Sequence, residues 1–261
     1  MYQISISPEE IERKEMKSFP GKITVIDSTG PEFTKAIAYL RRQKILGFDT
    51  ESRPCFSPGQ PHYGVSLLQL SGPERAFLFR IKKTGMSASL CRILSNPSIK
   101  KIGAATADDV RGLQKYTPFE ASGFIDLQKM VWEYGIKDKS VKKMAAIILD
   151  VKISKTQQLS NWEADELSES QQKYAATDAW ICREMYLKLL CSEKNPLTPE
   201  QMMPAPPAPK ENSTENAENE GNKVNAASSS EPSKKKKRRK RRAPSYYRRR
   251  SRQKKTDNKV Q

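Results

Sequence analysis

ILGFDTE, Ile45 to Glu51, is an apolar run that closes on two acids, and its reading decides the fold. The apolar start, with Gly47 and Phe48 inside it, marks a strand in the interior of a sheet. Strand alternation puts Asp49 and Glu51 on one face and turns Thr50 to the other. Two carboxylates side by side on one face repel unless a proton or a cation lies between them.

The neighbouring sequence builds a sheet around this strand. Before it, KITVID (Lys22–Asp27) reads as a strand closed by a turn at Ser28 to Pro31, and Phe33, Ile37 and Leu40 then recur at helical spacing. After it come a Pro- and Gly-rich loop, Arg53 to Tyr63, and two apolar runs, VSLLQLS (Val65–Ser71) and RAFLFRI (Arg75–Ile81). Gly72-Pro73 joins these as a hairpin. A helix near Ser87–Leu94, a strand at KKIGA, a helix from about Asp108 to Tyr116 and a last strand at GFIDL follow. Helical patterns then cover Gln128–Tyr134, Val141–Leu149 and Glu169–Leu190. Strands first and helices second predict an α/β protein, a mixed sheet flanked by helices.

Composition divides the chain. Through about Pro196 it is rich in aliphatic and aromatic residues, enough for one sizeable core. From Pro204 onward large apolar residues nearly vanish, so that stretch is expected to be disordered. We divide the chain into an N-terminal extension (1–21), a folded domain (22–195) and a linker with a basic tail (196–261). Of 47 Lys and Arg residues, 18 lie at or beyond Pro204, against 6 of the 30 acids, so the tail carries +12 of the net +17.

Cys55, Cys91, Cys182 and Cys191 form no CxxC pair and His62 is the single histidine, which argues against structural zinc. Free, reduced thiols suit the cytosol. No apolar leader and no stretch near ~18 apolar residues is present. The expectation is a protein with no membrane partner, cytoplasmic or, from a eukaryotic source, nuclear.

Two further segments carry acids. Asp108 and Asp109 stand together at a helix start, where Asp108 is expected to cap and Asp109 to face elsewhere. Tyr174 and Asp178 are four apart in a helix and share one face, with Ala175, Ala176 and Ala179 leaving room for a close neighbour. Asp49, Glu51, Asp109 and Asp178 together have the composition of a site for two hard divalent cations that hydrolyses a phosphodiester.

In order and spacing these motifs resemble those of the DEDD-group 3′–5′ exonucleases, in the tyrosine-bearing branch that includes ribonuclease D and the Werner-type exonuclease domains. FDTES matches their DxE strand. Gly103, Asp109 and Leu113 match the second motif and select Asp109 over Asp108. YAATDA, Tyr174 to Ala179, matches the third letter for letter. LLQLS (Leu67–Ser71) and LSNWE (Leu159–Glu163) resemble flanking stretches of Werner-type members. The histidine branch carries a His where Tyr174 stands, and His62 lies far from that motif.

The resemblance implies a ribonuclease H-like fold. It implies two Mg²⁺ or Mn²⁺ ions per active site and release of nucleoside monophosphates from the 3′ end of single-stranded or 3′-ended DNA or RNA. Asp49, Glu51 and Asp178 would hold one cation, with Asp49 bridging to a second supported by Asp109 directly or through water. Tyr174, with a phenol pKa near 10, would hold the attacking water. Leu67, Leu68 and Gln69 would line the path of the terminal base, with core packing the alternative for either leucine; Trp162 would stack on a nucleotide or fill a lid or core position; and Lys155 and Lys173 would meet phosphates or stand as plain surface lysines. The charge of the tail is read separately: Lys236, Arg239 and Arg249 would neutralise phosphates, with Tyr246 and Tyr247 stacking on unpaired bases, and a nuclear-import signal, a ribosome tether or a merely solvated tail are the alternatives. The competing reading is a silent nuclease fold that serves as a nucleic-acid adaptor. The presence of all five motif residues argues against it.

Overall fold

The structure is a computed structural model that describes residues 1–55 and 63–203. Its first half runs α1 (Pro8–Glu12), β1 (Glu15–Met16), β2 (Lys22–Ile26), α2 (Pro31–Arg41), β3 (Ile45–Ser52), β4 (Val65–Ser71), β5 (Arg75–Arg80), α3 (Ile81–Thr84) and α4 (Ala88–Leu94). It continues through β6 (Lys100–Gly103), α5 (Thr106–Gln114), β7 (Phe124–Asp126), α6 (Leu127–Met130), a 3₁₀ turn (Val131–Tyr134), α7 (Val141–Leu149), β8 (Val151–Lys152), α8 (Glu169–Leu190) and α9 (Pro199–Met202).

Six strands form one mixed sheet in the order β2-β5-β4-β3-β6-β7. Only β4 runs against its neighbours: β3 pairs with it antiparallel and with β6 parallel. The acid-bearing strand therefore lies inside the sheet. All seven residues of β4 are buried, as expected of a strand covered on both faces.

The two faces have different covers. Phe48, Leu68, Leu70, Phe77 and Phe79 pack with residues of α2, α4 and α5. On the other face α8 lies across the sheet, with Leu67 and Leu78 against Tyr174 and Ala175. Ile102 on this side packs with residues of α7 and of the second half of α8. Alternation thus places Asp49 and Glu51, whose cross-strand partners are Gln69 and Leu67, on the α8 face.

The residues before Lys22 are not a loose extension. Ile6 and Ile11 are buried against Ala146 of α7, β1 pairs with β8, and the Phe19 ring lies 6.0 Å from that of Trp180. Residues 196–203 stay docked, Leu197 N–H donating to the Trp132 carbonyl at 2.9 Å. No helix among the described residues is long and apolar enough to cross a membrane.

Candidate active site

Asp49 and Glu51 project from the end of β3, before a register shift between Glu51 and Ser52 where regular pairing with β4 breaks. Asp178 comes down onto them from α8, and one carboxylate oxygen from each of the three lies within 4.8 Å of the others. Such closeness needs the helix backbone almost on the strand. Gly47 provides it: a Cβ there would stand 1.9 Å from the Ala179 carbonyl oxygen. Ala175, Ala176 and Ala179 are all fully buried on the helix side.

Tyr174, one turn before Asp178, sets its hydroxyl close enough to the Asp178 carboxylate to act on it. Its ring packs against Trp162 with centroids 5.9 Å apart. The N-terminus of α8 is fixed by a capping box of Ser168 and Gln171. The buried Gln171 amide also donates to Ser160 Oγ (3.0 Å) and the Asn161 carbonyl (3.1 Å), tying the preceding loop to the helix.

Asp109 arrives from the opposite face. Helix α5 packs beside Phe48, and Asp109 Oδ1 accepts the Thr50 hydroxyl at 2.6 Å. Thr50 does point away from Asp49 and Glu51, and that orientation lets it anchor the fourth acid. Asp109 is outside the three-carboxylate cluster but close enough to act electrostatically on Asp49 and Glu51.

The expected cap of α5 is corrected. The helix starts at Thr106 after Ala105, which takes a left-handed conformation at φ 58° and makes no side-chain cap. Its N–H donates instead to Asp126 Oδ1 at 3.0 Å. Asp108 is exposed in the first turn and pairs with Arg111.

Electrostatics follow from this crowding. Burial first, then the charges of Asp178, Asp109 and Glu51, push the Asp49 carboxyl well above the usual range. Burial, then Asp178 and Asp109, raise Glu51 to about 9. Asp109 rises to about 6 through burial, opposed by the Thr50 hydrogen bond. Asp178 is also raised, chiefly by burial, with the Tyr174 hydroxyl and Lys155 acting against it. The Tyr174 phenol is driven upward by burial and then by Asp178 and Glu51, so it keeps its proton. Cys182, one turn beyond Asp178, is buried and held as a neutral thiol, mainly by that burial.

A site whose acids retain protons for want of counter-charge is suited to exchange them for cations. The cluster offers three carboxylates with no imidazole or thiolate, a donor set for hard divalent ions.

The residues expected along the nucleotide path are placed differently. Leu67, Leu68 and Gln69 are 0% exposed and Trp162 is 1% exposed. Each is covered by α8 or by the other face of the sheet, so none presents a surface to a base. Trp162 instead buttresses Tyr174. Lys173 is exposed on α8, and Lys155 lies near enough to Asp178 to act on it. Lys236, Arg239, Tyr246, Tyr247 and Arg249, and with them His62, lie outside the described residues.

Arg80 has a role that sequence reading missed. It is 4% exposed and donates to the carbonyls of Ala164 and Asp165, pinning the loop that carries Trp162. An arginine ending an apolar strand was the only signal.

Residues 25–191 match the family model described as 3′-5′ exonuclease, and the chain belongs to that family. Among its relatives is the mouse exonuclease 3′-5′ domain-containing protein 2, 29% identical over 175 residues. The mouse bifunctional 3′-5′ exonuclease/ATP-dependent helicase WRN is 30% identical over 151 residues. These alignments take in 61% and 56% of this chain but only 26% and 11% of the relatives. The crystal structure of Escherichia coli RNase D superposes with a TM-score of 0.58 at 22% identity, covering 65% of this chain and 44% of that one. This superposition bears out the ribonuclease D-like α/β fold.

Proposed function

We propose that the chain is a divalent-metal-dependent 3′–5′ exonuclease that releases nucleoside monophosphates from the 3′ end of DNA or RNA. The observation that carries this reading is the convergence of Asp49, Glu51 and Asp178 at one point, with Tyr174 one helical turn away. Asp49, Glu51 and Asp178 would hold Mg²⁺ or Mn²⁺, with Asp49 shared with a second ion. Asp109, steadied by Thr50, would support that second ion directly or through water. Bound there, a pair of ions supplies charge to both the attacking and the leaving oxygen of an in-line displacement.

Tyr174 keeps its proton, so its part is to orient water by a hydrogen bond rather than to act as base. The helix α8 backbone excludes bulk solvent from one side of the carboxylates, which strengthens every charge interaction at the phosphate. Lys155, which acts on the Asp178 carboxylate, is a candidate for the substrate backbone. The +12 tail would tether nucleic acid through Lys236, Arg239 and Arg249, with Tyr246 and Tyr247 available to stack.

The test is incubation of single-stranded DNA and RNA of one sequence with Mg²⁺, Mn²⁺ or chelator, wild type beside Asp49→Ala. Metal-dependent loss of substrate that the variant lacks supports the proposal. Intact substrate in every lane with a salt-sensitive gel shift would make the chain a binding adaptor instead.

A further inference from the structure

Gln69 is the polar residue in the sheet that the folded structure leaves unexplained. It is 0% exposed, and neither its Oε1 nor its Nε2 has a hydrogen-bond partner. A buried carboxamide with both ends idle costs on the order of 1–3 kcal/mol per unsatisfied group. A group of this kind calls for a partner that enters in another state of the molecule.

The register narrows that partner. On the α8 face Gln69 stands between Asp49 on β3 and Leu78 on β5, with Leu67 and Ser71 before and after it on its own strand. The two leucines are apolar, and the Ser71 hydroxyl donates to the Gly72 carbonyl at 2.9 Å and makes no bond to Gln69. Helix α8, which packs on β4, contributes the buried Ala175 and Ala179, which offer only methyl groups. Asp49 is the acid paired directly with Gln69 across the sheet. Directly opposed residues of an antiparallel pair hold their Cβ atoms about 4.5–5.5 Å apart, within reach of a glutamine amide. Asp49 now accepts the Thr50 N–H on Oδ1 at 2.9 Å, and a carboxylate has lone pairs for more.

We propose that Gln69 is a positioning residue for the cation site: its Nε2 donates to the Asp49 carboxylate when a cation is bound there, fixing the plane in which that carboxylate's oxygens lie. The inference rests on the reading of the carboxylates as a cation centre. Partners of this kind behind a metal ligand typically contribute ~10–100-fold in affinity. Gln69 thereby acts on the reaction from inside the sheet, through Asp49, rather than by touching a base.

The experiment is Mn²⁺ binding to the full chain by isothermal titration without nucleic acid, for wild type and Gln69→Met. Melting in chelator and a Mn²⁺ titration of nuclease activity run alongside. Methionine keeps the length and fills the space without the amide. The expected result is a Kd for Mn²⁺ raised ~10–100-fold, a melting temperature in chelator unchanged or higher, and turnover restored by excess Mn²⁺. Equal Mn²⁺ affinity in the two proteins would overturn the role of Gln69 and leave the cation centre standing. A methionine variant that unfolds in chelator would make Gln69 a packing residue and overturn it too. No Mn²⁺ binding by the wild type would remove the cation centre itself, and this inference with it.

Discussion

At the scale of single residues, the carboxylates set how the metal-free protein responds to pH. Unfolded Asp and Glu titrate near 4, whereas folded Glu51 sits at about 9, Asp109 at about 6, and Asp49 and Asp178 are raised as well. Between those values the folded state binds more protons than the unfolded one, so stability falls as pH rises through the window. In chelator the melting temperature should be higher at pH 5 than at pH 8, and saturating Mn²⁺ should shrink or reverse that difference. Tyr174→Phe should keep Mn²⁺ binding while turnover falls ~10–100-fold, the equivalent of one hydrogen bond of about 1.5–3 kcal/mol. Titration calorimetry beside single-turnover kinetics separates the two effects. Ala105, held at φ 58°, strains the entry to the helix that carries Asp109. Ala105→Gly should therefore raise stability by up to about 1 kcal/mol, read as an upward shift in thermal melting. Asp49 with Glu51 and Tyr174 with Asp178 each lie at the period of their own element, two in a strand and four in a helix, but it was the order of the three segments together, not either pair alone, that singled them out. Asp109's anchor was not legible, since Thr50 and Asp109 meet across 59 residues of sequence, on the face of the sheet opposite Asp49 and Glu51.

At the scale of elements, the site depends on how closely α8 lies on β3. Gly47→Ala would drive a methyl into the Ala179 carbonyl, a backbone atom that cannot step aside alone. It should cost about 1–3 kcal/mol or more and lift Asp178 off the strand acids, measurable as a lower melting temperature together with weakened Mn²⁺ binding. The long helix and the central strands could be read from their apolar periodicity. The two-residue strands β1 and β8 could not, because so short a pairing leaves no period and is fixed by partners 136 residues apart in sequence. Lys101 shows another limit. Read along KKIGA it is an ordinary strand lysine, yet it is 0% exposed and its Nζ donates to the carbonyls of Ile93, Asn96 and Ile99 at 3.2, 2.8 and 2.7 Å. A lysine that satisfies the end of α4 from the next strand is visible only once those elements are packed. Leu67 and Trp162 take the core positions that were weighed against a nucleotide contact, whereas the burial of Gln69 under α8 had no signal along its strand.

At the scale of the molecule, charge and chemistry occupy different parts of the chain. The carboxylates lie in the folded unit, and +12 of the net +17 lies beyond Pro204. A chain ending at Met203 should melt like the full chain and cleave short oligonucleotides at an undiminished rate. Its binding to long single strands should be weaker and much less sensitive to salt, which filter binding over a range of KCl would show. Polarity of cleavage decides whether the chain works as proposed. One single-stranded oligonucleotide, labelled at its 5′ end in one tube and its 3′ end in another, is incubated with the protein and Mn²⁺. A 3′–5′ exonuclease gives a ladder shortening by single nucleotides from the 5′-labelled strand, while the 3′ label passes at once into mononucleotide. Internal cuts common to both tubes, or two intact strands, would contradict the proposal.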